Sequence, residues 1–117
     1  MTNGLQLDPG ELDQRVTFRQ KQESSDGAGG TIVEWVDFAT RWAQVKPMSG
    51  ERRFQAEQAN FTRDTEVTIR RDPSIDETMA IIWQGRSLEI QYIGDFGPRS
   101  AYTRIECRSG GVQDALP

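Results

Sequence analysis

A chain of 117 residues holds one domain, and 35% apolar against 27% charged residues describes a folded body with a thin core. A net charge of −4 argues against a basic nucleic-acid binder of the usual kind; without histidine and with one cysteine, Cys107, an internal disulfide, a Cys/His metal site and histidine-activated nucleophiles are excluded. No run approaches the ~20 apolar residues of a membrane span, and MTNGLQLDPG has neither a basic n-region nor an apolar h-region, so neither a signal peptide nor membrane insertion is expected.

Residues 1–11, with Gly4, Pro9 and Gly10, lack any period and read as a flexible arm. DQRVTFRQKQE then alternates Val16 and Phe18 inward with Arg15, Thr17 and Arg19 outward, the period of a half-buried strand. SSDGAGG breaks it with residues that tolerate positive φ, so TIVEWVDF is expected to return as an antiparallel neighbour. ATRWAQVKP reads as a third strand, with Trp42 and Gln44 on one side, Ala43 and Val45 on the other, and Pro47 at its end.

Residues 48–64, MSGERRFQAEQANFTRD, depart from this rhythm. Ser49 could cap a short helix from Glu51, but Phe54, Ala56, Ala59 and Phe61 are too few to anchor it, so a projecting loop or short helix is expected. TEVTIRR, MAIIW, RSLEIQYI and AYTRIECR follow as strands, with a Gln84-Gly85 turn between the second and third. The expected fold is all-β: a small antiparallel barrel or sandwich of about seven strands over residues 12–109, with a flexible tail at 110–117.

Little chemistry is on offer. Asp72, Asp76 and Glu77 have no calcium-loop spacing and read as a solvated connector, and DGAGG lacks the context of a phosphate-binding loop. Cys107 reads as a small buried apolar residue. The default for Trp35 and Trp42 is core packing, with an interface anchor as the alternative; Phe18, Trp83 and Tyr92 complete the set of core or interface aromatics. Twelve arginines against two lysines favour protein interfaces or phosphate contacts over a merely solvated surface. No catalytic, cofactor-binding or metal residue is assigned, and no cofactor is expected.

In order and spacing, LDQRVTFRQ, DGAGG, the run WVDFATRWAQVKP, MSGERR, TEVTIRR, MAIIWQG, RSLEIQYIGD and IECRSG resemble the head-tail joining proteins of tailed bacteriophages. These are also called head-closure, stopper or head-tail connector proteins, and have relatives in gene transfer agents. The resemblance spans residues 12–110. It implies a non-enzymatic virion protein, assembled from the host cytoplasm into a hexameric or dodecameric ring that meets a portal or adaptor ring on one side and a tail terminator or tail-tube protein on the other. By the same resemblance the 48–64 loop would enter the channel and close it over DNA without sequence specificity. Ser49, Gly50, Glu51, Arg52, Arg53, Phe54, Gln55 and Phe61 are its gating or subunit-interface candidates. Alternatives are an adaptor or tail-completion protein of the same connector, a single-stranded nucleic-acid-binding barrel using exposed Trp and Arg, and a small enzyme working with carboxylates alone.

Overall fold

A computed structural model describes residues 9–48, 63–95 and 100–117. Six strands, β1 (Gln14–Ser25), β2 (Thr31–Pro47), β3 (Thr65–Arg70), β4 (Ala80–Trp83), β5 (Arg86–Asp95) and β6 (Tyr102–Ser109), close into an antiparallel barrel in the order β1-β2-β3-β6-β5-β4. The all-β barrel is as expected from the sequence. The two runs TIVEWVDF and ATRWAQVKP are, however, one continuous 17-residue strand. A one-residue bulge marks the seam: the partners of Phe18 and Arg19 are Ala39 and Asp37, so Phe38 is passed over. The bulge lets the strand bend without ending.

Val16, Phe18, Val67, Ile69, Ile81, Leu88, Ile105 and Cys107 are fully or almost fully buried and fill the barrel interior. Their neighbours in sequence take the other face of the sheet, as the period of two requires, and Glu66, Thr68, Ala80, Ser87 and Glu106 among them are buried as well. A second bulge between Ile90 and Tyr92 resets that period in β5: Ile90 faces Cys107 inside, whereas Tyr92 faces Glu106 outside. Two turns follow from local chemistry. Asp26 Oδ1 accepts from the amides of Ala28 (2.7 Å) and Gly30 (2.9 Å), while Gly27 and Gly29 take positive φ. Gln84 and Gly85, with φ of 49° and 75°, make the two-residue hairpin between β4 and β5.

The segment from residue 110, expected as a flexible tail, is held against the barrel instead. After Gly110 donates to the Ser87 carbonyl (2.8 Å), the chain makes a 3-10 turn at Gln113–Ala115 that buries Ala115. Its carbonyl accepts from Arg19 Nη1 at 2.9 Å. QDA carries no apolar period, so this docking has no signature in the sequence. The expected N-terminal arm lies mostly outside the described residues, which begin with a 3-10 turn at Pro9–Glu11 and a buried Leu12.

Candidate functional site

β1 and β2 leave the barrel together. Pairing of β4 on β1 stops at Arg19 and pairing of β3 on β2 stops at Ala43, so among the described residues Gln20–Ser25 and Thr31–Val36 pair only with each other. Residues 21–34 are all exposed. A free two-stranded ribbon is marginal in water, and this one divides its polarity by strand. β1 supplies Gln20, Lys21, Gln22, Glu23 and Ser24, whereas β2 supplies Ile32, Val33, Trp35 and Val36. Cross-strand partners share a face, so Val33 and Trp35 lie with Glu23 and Lys21, and Ile32 and Val36 with Ser24 and Gln20. Along β2 one face is thus apolar, and the other is apolar except for Glu34 between Ile32 and Val36. Such a run normally belongs to a strand covered on both sides.

Arg19 fixes the base of the ribbon. It donates to the Trp35 carbonyl at 2.8 Å and to that of Ala115 at 2.9 Å, and its Nε lies 3.0 Å from Asp37 Oδ1 without hydrogen-bond alignment. Farther along, the Lys21 ammonium stands 5.4 Å from the centre of the Trp35 ring.

At the opposite end of β2, Trp42 is 52% exposed, with the Arg15 guanidinium 4.8 Å from its ring centre. A groove of about 400 Å³ lined by Leu12, Asp13, Trp42 and Arg70 runs beside it. Arg41 is spoken for by Asp72 at 3.1 Å. Hydrogen bonds from Ser74, with help from Arg41, hold the Asp72 carboxyl below the usual carboxylate range against the opposing effect of burial. Arg71 is exposed next to it.

The 48–64 segment is pinned at its roots. Met48 N donates to the Asp64 carbonyl (3.1 Å) and Asp64 N to that of Cys107 (2.9 Å), while Asp64 Oδ1 accepts from Ser109 N (3.0 Å) and Thr65 Oγ1 (2.8 Å). Arg63 Nη1 meets Glu106 Oε1 at 2.7 Å, and Arg104 approaches the other oxygen at 3.3 Å. The Tyr92 ring lies 5.6 Å from the Arg63 guanidinium and over Gly94, where a Cβ would come within 2.5 Å of its hydroxyl. Ser49, Gly50, Glu51, Arg52, Arg53, Phe54, Gln55 and Phe61 lie outside the described residues.

No acid-base machinery assembles among the described residues. Asp72 caps the turn at Ser74 and Asp76 the turn at Thr78, each through the backbone amide and the hydroxyl two residues on. Burial, reinforced by Asp64 and Glu106, pushes the Cys107 thiol well up, so it is a packing residue and no nucleophile. Among the described residues, no group of three or more His, Cys, Asp or Glu stands where it could hold a metal. Among them too, no helix is long and apolar enough to cross a membrane.

Known proteins share this closed barrel. The family model of the phage head completion protein matches residues 7–110. The chain belongs to the phage head completion protein family. It is 33% identical over 105 residues to the head completion protein gp16 of Bacillus phage SPP1, covering 87% of this chain and 94% of that one. The fold is shared with a protein of Shigella flexneri 2a solved in solution (TM-score 0.77, 23% identity, 90% and 98% of the two chains). It is shared more loosely with a chain from the virion of a native gene transfer agent particle (TM-score 0.53, 16% identity, 82% and 92%).

Within this head completion barrel the expected aromatics part company. Phe18 is core, and Trp83 packs against the core while its Nε1 donates to Gln14 Oε1 at 3.1 Å. Trp42 and Tyr92 are not core: register places both on the outer wall, across from Arg15 and Glu106. Trp35 is half-buried on the ribbon. What the sequence reading missed is the ribbon itself, whose signal was present: a nearly continuous apolar run, TIVEWVDF, facing a polar partner, QKQESS.

Proposed function

We propose that this chain forms a ring in the head-tail connector of a tailed phage or prophage, where it closes the portal channel over packaged DNA and presents a docking face to the tail. Membership of the head completion family carries this reading, since the SPP1 relative bears that name and nearly the whole of each chain is aligned. The family is a structural one, and no catalytic role is assigned. The bare ribbon supports an assembling subunit, because only a partner can cover apolar residues on both faces of a two-stranded sheet. The partners would be further copies of the chain, a portal or adaptor ring, and a tail terminator or tail-tube protein; the compartment is the virion, and the host cytoplasm during assembly.

The 48–64 segment is the proposed closure element, with Glu51, Arg52, Arg53 and Phe54 as its acting residues. Its pinned roots support this role, for a gate needs a fixed hinge at each end. The net charge of −4 fits a channel lining that does not grip phosphates, since tight counterion-releasing contacts would retard ejection. A phage lacking the gene tests the reading. It should accumulate tailless heads that package DNA and lose it, and purified protein should restore tailed particles; a full yield of tailed, infectious particles without the gene would refute it.

A further inference from the structure

Within the ring reading above, we propose that the ribbon of one copy seats on the Trp42 face of the next copy, in a head-to-tail contact repeated around the ring. Three observations point there. The ribbon carries apolar residues on both faces along β2, with Ile32 and Val33 well exposed, and among the described residues its own barrel gives them no cover. Its tip cannot reach its own Trp42: Arg15 pairs with Trp42, and the eleven positions from Arg15 to Asp26 span roughly 35 Å of strand. In the proposed contact a second molecule supplies the surface.

Charge selects which surface. On the ribbon Glu23, Asp26 and Glu34 outnumber Lys21, all of them exposed. Around the Trp42 groove Arg15 and Arg70 outnumber Asp13, and Arg15 stands over the Trp42 ring. An acidic, apolar arm thus complements a basic surface with an exposed tryptophan at its centre, and Trp and Arg are the side chains that most often dominate binding energy. Two copies exchanging arms reciprocally about a two-fold axis would make a closed dimer; the ring reading selects the one-way, heterologous contact, which closes into a ring or runs on as a filament.

The test uses particles assembled from full-length chains carrying Val33→Cys or Arg70→Cys, treated with a short bismaleimide that tolerates small errors of register. The native Cys107 is buried and does not compete. Linked dimers are expected only when the two variants are mixed, and a ladder of higher species when one chain carries both substitutions. In parallel, Glu34→Arg and Arg70→Glu should each cut incorporation about tenfold or more, the loss of one hot-spot contact, and mixing the two variants should restore part of it. Dimers from Val33→Cys alone, or incorporation without any cross-link in the mixture, would overturn the arm-in-groove contact and leave the connector reading standing. Absence of the chain from particles would overturn both. Salt-dependent quenching of tryptophan fluorescence by single-stranded oligonucleotide, abolished by Trp42→Ala, would make the patch a nucleic-acid surface and also overturn the proposal.

Discussion

Arg63 and Glu106 meet at 2.7 Å with both side chains largely out of water. Glu106 stands directly across from Glu66, so two carboxylates with 4% and 5% exposure lie side by side on the outer wall of the barrel. They are tolerable there because Arg63 and Arg104 attend Glu106 and Lys46 reaches Glu66 at 4.0 Å. Arg63→Ala leaves a buried carboxylate short of a partner and should cost about 3 kcal/mol. Thermal unfolding should fall by roughly 10 °C, and an unchanged melting temperature would show that water replaces the guanidinium at no cost.

Phe18 and Trp42 should respond oppositely to truncation. Phe18→Ala opens a cavity in the barrel and should destabilise by about 3–5 kcal/mol, measured by urea unfolding. Trp42→Ala removes an exposed ring and should cost well under about 1 kcal/mol, yet reduce incorporation into particles severely.

The base of the ribbon hangs on Arg19 more than on its acidic neighbour. Asp37 is 73% exposed, so Asp37→Ala should change stability by less than about 0.5 kcal/mol. Arg19→Ala strips the Trp35 and Ala115 carbonyls of their donor and should cost about 1.5–3 kcal/mol. Hydrogen exchange should then speed up at both the ribbon base and residues 113–116, and exchange confined to the ribbon would contradict the link.

How much of this was legible differs residue by residue. Alternation around Val16 and Phe18 gave the barrel wall directly, and Gln84-Gly85 gave its hairpin. For Trp42 the period was read correctly, but a period does not say which of two faces is the inner one. Size favoured Trp42 inside; the register of Ala43 with Ile69 and of Val45 with Val67 put the smaller pair there instead. Tyr92 shares its apparent face with Ile90 until the bulge at Gln91 inverts it, and bulges leave no mark in composition. The docked C-terminal turn rests on long-range contacts, the Gly110–Ser87 and Arg19–Ala115 bonds and the burial of Ala115, which no local pattern encodes.

Deleting residues 51–61 should leave the barrel folded, because the Met48 and Asp64 backbones already bond across the gap. The variant should keep its β-rich circular dichroism and fail in DNA retention or ring closure. Loss of the β signal would make the segment part of the core.

Acid should weaken the fold through Asp72. Its folded pKa lies below the ordinary 3.8, so the charged form is favoured in the native state and stabilises at neutral pH. That contribution is fully present above about 4 and is lost as pH falls through the lower folded value. Asp72→Asn should remove the contribution at neutral pH and flatten the acid limb of the stability curve, and an unchanged limb would assign the acid sensitivity to other carboxylates.

The connector role is tested most directly by the native mass of the portal complex before and after mixing with the purified protein. The increase should equal a fixed whole number of copies of this 13.2 kDa chain, matched to the symmetry of the ring beneath it, and should disappear with Trp42→Ala. No binding to any head or tail component under assembly conditions would contradict the account; a monomer in isolation would not, since ring formation is expected on the template.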